Sequence, residues 1–124
     1  MANPNIVNVT DIRGKTTYAA LTTTLTTVLL SNAASSGKVL KINSIMVSNV
    51  DGTSAADVTI DINTSASGGG TSYALANTIS VPADATLSVV DKTNAFYLEE
   101  DKSIIGGASA NSDLEVVISY EEIN

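Results

Sequence analysis

The sequence predicts an all-β protein, an antiparallel β-sandwich of about eight or nine short strands with jelly-roll-like or Ig-like Greek key connections. Three observations predict it. In one stretch Val58, Ile60 and Ile62 alternate with Asp57, Thr59, Asp61 and Asn63, and near the end Leu114, Val116, Ile118 and Tyr120 alternate with polar neighbours, the period-two pattern of half-buried strands. Turn signals separate β-branched runs at intervals of about ten residues. No segment carries a helical stripe free of Thr, Val or Ile filler, and such residues favour a pleated surface.

Residues 1–15 set Ile6, Val7, Val9 and Ile12 between polar residues and end on Arg13-Gly14-Lys15. This segment is either a first strand or an arm lying on a neighbouring subunit. Residues 16–124 then form a single sandwich domain. Within residues 18–31, Leu21, Leu25 and Leu29 recur every four positions, as on a helix, but Thr22, Thr23, Thr24, Thr26 and Thr27 fill the gaps. Leucines four apart also share a strand face, so two strands or one long bent strand are expected here.

Residues 38–63 read as a central hairpin, turning through Val50-Asp51-Gly52-Thr53, where Asp-Gly suits a tight reversal. In its first half the apolar face changes phase. Leu40 and Ile42 occupy even positions, Ile45 and Val47 odd ones, so a β-bulge or a bend between two sheets is expected near Asn43-Ser44. Asp57, Thr59, Asp61 and Asn63 then form the outer face of the second half.

Residues 64–72 form a Gly- and Ser-rich loop tip. Tyr73, Leu75, Ile79 and Val81 alternate, with Asn77 interrupting, and Pro82-Ala83-Asp84-Ala85 makes a turn. Leu87 with Val89, then Phe96 with Leu98, supply two more strands. Glu99-Glu100-Asp101-Lys102 is a solvated acidic turn into Ser103-Ile104-Ile105, residues 106–113 loop again, and the last alternating strand closes the chain.

At 124 residues, a domain buries about two-thirds of its unfolded surface without disulfides or metals. Cys and His are both absent, which removes thiolate and imidazole zinc sites and the Ser-His and Cys-His nucleophile pairs. The chain is therefore expected to be no enzyme and to hold no cofactor. Thirteen acidic against six basic residues leave a net charge of −7, the wrong sign for a phosphate backbone, so no nucleic-acid partner is expected. The start Met-Ala-Asn-Pro-Asn lacks a basic and apolar leader, and no run approaches the ~20 apolar residues of a membrane span. A soluble protein with no membrane partner is expected.

The remaining candidates for chemistry are weak. Gly68, Gly69 and Gly70 lack the Lys-Ser or Lys-Thr of a phosphate loop. Asp57 and Asp61 stand roughly 13 Å apart on one strand face, too far for paired carboxylate catalysis. Asp51 and Asp57 lack the alternating ligands of a calcium loop. Aromatics are few, Phe96 with Tyr18, Tyr73, Tyr97 and Tyr120, and are expected mostly at core positions.

Two stretches carry a resemblance: KINSIMVSNVDGTSAADVTIDIN, residues 41–63, and FYLEEDKSIIGGASANSDLEVVISYEEI, residues 96–123. Their order of strands and turns resembles small β-sandwich virion proteins of tailed, cyanophage-like bacteriophages, over about residues 16–123. The resemblance implies a structural protein of the virion, a capsid decoration or cement protein, with neck or tail subunit as the alternative. It implies self-association, a trimer being favoured, and contact with the major capsid protein or other virion proteins. Ile6, Val7, Val9, Ile12 and Arg13 are then the candidate contact arm. The competing class is a carbohydrate-binding sandwich presenting loops 64–72 and 106–113 to a cell-surface glycan; the small number of aromatics outside core positions ranks it second.

Overall fold

The computed structural model describes residues 3–124. Nine strands follow one another: β1 (Ile12–Ala20), β2 (Val28–Asn32), β3 (Val39–Asn49), β4 (Ala56–Asn63), β5 (Ser72–Val81), β6 (Thr86–Val90), β7 (Phe96–Leu98), β8 (Lys102–Ala108) and β9 (Leu114–Ile123). The one helical piece among the described residues is a 3-10 turn at Lys92–Asn94. All pairings are antiparallel. One sheet runs β1-β9-β3-β6, with β7 on the same side of β3 as β6, and the other runs β2-β8-β4-β5.

This strand order decides between the two expected topologies. Strands β1 with β9, β2 with β8, β3 with β6 and β7, and β4 with β5 form the rungs of one long folded ribbon. The ribbon wraps so that β3 also pairs β9 and β4 also pairs β8. That arrangement is a jelly roll. Strands β6 and β7 share one position, split by the 3-10 turn, whose Asp91 cap accepts a hydrogen bond from the Thr93 amide at 2.9 Å.

The core is aliphatic and lies between the sheets. Ile42, Ile45, Val47 and Ile118 from one sheet meet Val58, Ile60 and Ile104 from the other, all fully buried. Burial of a side chain such as Ile60 contributes roughly 1.5 to 3 kcal/mol. Val58 and Ile60 face inward as their alternation predicts. The phase change in β3 is a bulge, with the β3–β9 register slipping between Ile42 and Ser44.

Several expectations are corrected. Strands β3 and β4 are not a hairpin, because they belong to opposite sheets. Residues 50–55 cross between the layers, held by the Asn49 and Asp51 side chains, which accept from the amides of Asp51 and Thr53 at 2.8 and 2.9 Å. Gly52 is not among the residues with positive φ, so the Asp-Gly pair is no tight reversal. The link between sheets is thus this connection and not the bulge. Asn63 does not face out with Asp57 and Asp61 but is buried, as is most of Thr59, whose hydroxyl accepts from the Thr78 amide of β5 at 3.2 Å.

The leucine stripe divides. Leu21 is buried, Leu25 is exposed, and Leu29 lies in β2, with the threonine-rich residues between β1 and β2 crossing from one sheet to the other. Gly106 and Gly107, expected in a loop, are strand residues of β8. A Cβ on Gly106 would stand 2.5 Å from the Thr59 carbonyl oxygen, and one on Gly107 would stand 2.7 Å from those of Thr22 and Thr24. Those glycines permit close approach of backbone to backbone. Glu100 is buried and not part of a solvated turn, and its amide donates to the Asn3 side chain at 3.3 Å.

Candidate partner-contact surface

The residues preceding β1 fold back onto their own domain. A small turn is closed by the Asn8 amide on the Asn5 carbonyl at 3.1 Å and by the Val7 amide on the Asn5 side chain at 3.0 Å. The amides of Thr10 and Asp11 donate to the Asn124 carbonyl at 2.6 and 2.9 Å, and Asn124 returns a bond to the Asp11 carbonyl at 3.0 Å. This clasp fixes both ends of the described chain side by side. Asn3, Pro4 and Ile6 reach across to a shallow depression shared with Val39, Tyr97 and Glu99. Val39, which pairs Ile123 of β9, is 3% exposed beneath them.

The five candidate contact residues divide between two places. Ile6 and Val7 sit on the turn, 54% and 91% exposed, and Val9 is half-buried beside them. Ile12 and Arg13 open β1, Ile12 exposed and Arg13 3.8 Å from Asp11. Strand β1 is the edge of its sheet, paired only with β9, and of its nine residues only Thr17 is partly covered. Its apolar members on the outer side, Ile12 and Tyr18, are therefore open to solvent.

The sequence predicts aromatics mostly at core positions, whereas Tyr18, Tyr73 and Tyr97 are exposed. Tyr120 lines a depression of about 630 Å³, with Gly14, Thr16, Asn43 and Ser119 and the charged Lys15, Lys41, Lys92 and Glu121 around it. Half of the six basic residues of this acidic protein thus line one depression. Lys41 stands 4.0 Å from Glu121, and Lys15 3.1 Å from Glu122. Glu122 also meets Lys38 at 3.2 Å, so this one carboxylate of β9 holds a side chain of β1 and that of the residue preceding β3. Burial pushes the Glu122 carboxyl pKa up, but hydrogen bonds and charge from Lys15 and Lys38 outweigh it and hold the group below its ordinary range.

Carboxylates elsewhere are set by turns. Asp51 and Asp91 lie below their ordinary values because backbone and hydroxyl groups of Thr53 and Thr93 donate to them, and burial raises Asp61. Among the described residues no three acidic groups gather as a metal site, and no helix is long and apolar enough to cross a membrane. Loop 64–72 is the β4–β5 hairpin connection, tied by Asn63 Oδ1 accepting from the amides of Ser65 and Gly70 at 3.0 and 2.9 Å. No protein-family model matches the chain, and no curated protein matches it in sequence.

Proposed function

We propose that the protein is a non-enzymatic structural component of a tailed-phage virion, a decoration or cement protein that binds the outer capsid surface as a homo-oligomer. The observation that carries this reading is the jelly roll itself, an architecture used by viral capsid and lectin domains, combined with exposed apolar side chains on a largely uncharged surface. The resemblance of residues 41–63 and 96–123 to small virion proteins supports the same assignment. Ile6 and Val7, presented on a turn clasped to the chain's end, are the side chains that meet the major capsid protein. Neck or tail placement is the alternative within this class.

The test is co-sedimentation with purified tailed-phage capsids that lack the protein. The full chain is expected to pellet with them, and a variant lacking residues 2–9, which keeps the clasp on Asn124 but uncovers Val39 and the Glu100 amide, is expected to stay in the supernatant while still melting cooperatively, at a lower temperature than the parent. Capsid loading undiminished by the deletion overturns the role of the arm, and failure of the full chain to load overturns the decoration reading. A second reading, a glycan-binding module, is favoured by exposed Tyr18, Tyr73 and Tyr97 and by the Tyr120 depression, since sugar sites combine an aromatic surface with polar groups. A polysaccharide pull-down separates the two.

A further inference from the structure

Strand β1 ends its sheet with an unpaired row of backbone donors and acceptors, and native proteins blunt such edges with charge, proline, bulges or a covering segment. None of these protects it beyond Arg13 and Lys15 in its first half. The register with β9 is continuous from Ile12 to Ala20 without a bulge, residues 16–20 are uncharged, and Asn3, Pro4 and Ile6 lie over β3 and β7, away from this edge. Nine residues of edge remain open.

We propose that this edge is a self-association surface, at which β1 of a second copy pairs antiparallel about a two-fold axis through Thr16. Thr16 is the midpoint of Ile12–Ala20, so this register uses the whole strand. It sets Ile12 opposite Ala20, Gly14 opposite Tyr18, and Thr16 opposite Thr16 on one face, because directly opposed residues share a face. Each exposed large side chain then covers one of the smallest residues of the other copy. Tyr18 is 78% exposed, and a Cβ on Gly14 would meet nothing within 4 Å, so the ring has both reason and room to lie over the glycine.

On the opposite face Arg13 meets Ala19 and Lys15 meets Thr17, so no like charges are opposed. Moving the axis to Lys15 opposes two lysines, and moving it to Gly14 opposes Arg13 with Lys15. Arg13 and Lys15 are moreover within 4.0 Å of Asp11 and Glu122 of their own chain, which limits repulsion between copies. The two five-stranded sheets become one continuous sheet. This contact is isologous and closes as a dimer, in place of the trimer that the resemblance implied. It rests on the self-association part of the proposed function and not on capsid binding.

The test is the mass of the full chain by light scattering at about 100 μM, together with two variants at the axis. The parent is expected as a dimer, and Thr16→Lys, which opposes two ammonium groups at an exposed site, as a folded monomer by circular dichroism. The chain has no cysteine, so Thr16→Cys gives a clean second readout: directly opposed strand residues lie within disulfide reach, and mild oxidation is expected to yield a covalent dimer. Ala20→Cys, which faces Ile12 of the other copy, is expected to remain uncrosslinked. A monomeric or trimeric parent, or a dimer indifferent to Thr16→Lys with no crosslink at Thr16→Cys, overturns the proposal. Capsid loading is scored separately, so a monomer that loads leaves the decoration role standing and sinks only the edge contact.

Discussion

Asn49 Nδ2 donates to the Val81 carbonyl at 2.9 Å and so joins the last residue of β3 in one sheet to the last residue of β5 in the other. Asn32, the last residue of β2, makes the matching bridge to Leu98 at the end of β7 at 3.1 Å. Asn63 closes β4 and donates to the Gly70 carbonyl at 3.1 Å. All three amides are buried. A strand that leaves its sheet strands backbone carbonyls away from the ladder, and an amide side chain supplies two donors and an acceptor in one place.

Replacing Asn49 should therefore cost more than one ordinary hydrogen bond. Its side chain serves the Ser54 and Val81 carbonyls and the Asp51 amide, all within 2.9 Å. Asn49→Ala is expected to lose at least about 2 kcal/mol in urea unfolding, since a buried unpaired polar group costs about 1–3 kcal/mol. Asn49→Asp should be worse at neutral pH, placing an anion against two carbonyl oxygens, and should recover partly on acidification. A fully stable Asn49→Ala protein contradicts the corner role.

Gly106 and Gly107 make a second prediction, because the atoms facing their missing Cβ atoms are backbone oxygens and cannot rotate away. Gly106→Ala and Gly107→Ala are each expected to destabilise by about 1–3 kcal/mol, the usual cost of overpacking. The Gly107 change should act on the connection between β1 and β2, whose Thr22 carbonyl accepts from the Ala108 amide at 2.8 Å. Faster amide exchange at Ala108 in Gly107→Ala, with the β4–β5 amides unchanged, is the local signature to measure.

Strand alternation made Val58, Ile60, Leu114, Val116 and Ile118 legible as core, and the parity change around Asn43-Ser44 marked the bulge. Pairing partners were not legible. A short segment between two strands reads as a hairpin, and nothing local distinguishes it from a crossing between layers; the distinction lies in distant partners, here Asp113, whose carbonyl accepts the Val50 amide at 2.8 Å. The glycines of β8 read as a loop for the same reason, since close approach to Thr59, Thr22 and Thr24 is a tertiary fact. One available signal was missed: Asn32, Asn49 and Asn63 each end an apolar run. Of the exposed strand β1, the sequence singles out Ile12 and Arg13 as candidates, but the open edge depends on where β1 lies in its sheet, which residue order alone does not state.

The inward face of β4 yields a sharper test of the core. Ile60 is fully buried, while Ile79 on neighbouring β5 is 42% exposed. Ile60→Ala is expected to lose about 2–5 kcal/mol. Ile60→Asp should give no soluble, cooperatively melting protein, whereas Ile79→Asp should fold. Equal behaviour of the two aspartate variants on thermal melting contradicts the assigned faces.

Glu122 sets an acid dependence whose sign follows from its surroundings. Lys15 and Lys38 hold its folded pKa below the ordinary 4.5, so the folded state prefers the carboxylate more than the unfolded chain does. The resulting stabilisation is fully present above the ordinary value and is lost as pH falls through the depressed folded value. Glu122→Gln removes it, so the parent should exceed the variant in stability at pH 7 by an amount that shrinks steadily below pH 4.5. The lysines are 43% and 37% exposed, so added salt should narrow the same gap. Because Lys15 lies on β1 and Lys38 adjoins β3, Glu122→Gln should also speed amide exchange along β1 first. A stability difference independent of pH between 3 and 7 means that packing of the side chain, not its charge, is what Glu122 contributes.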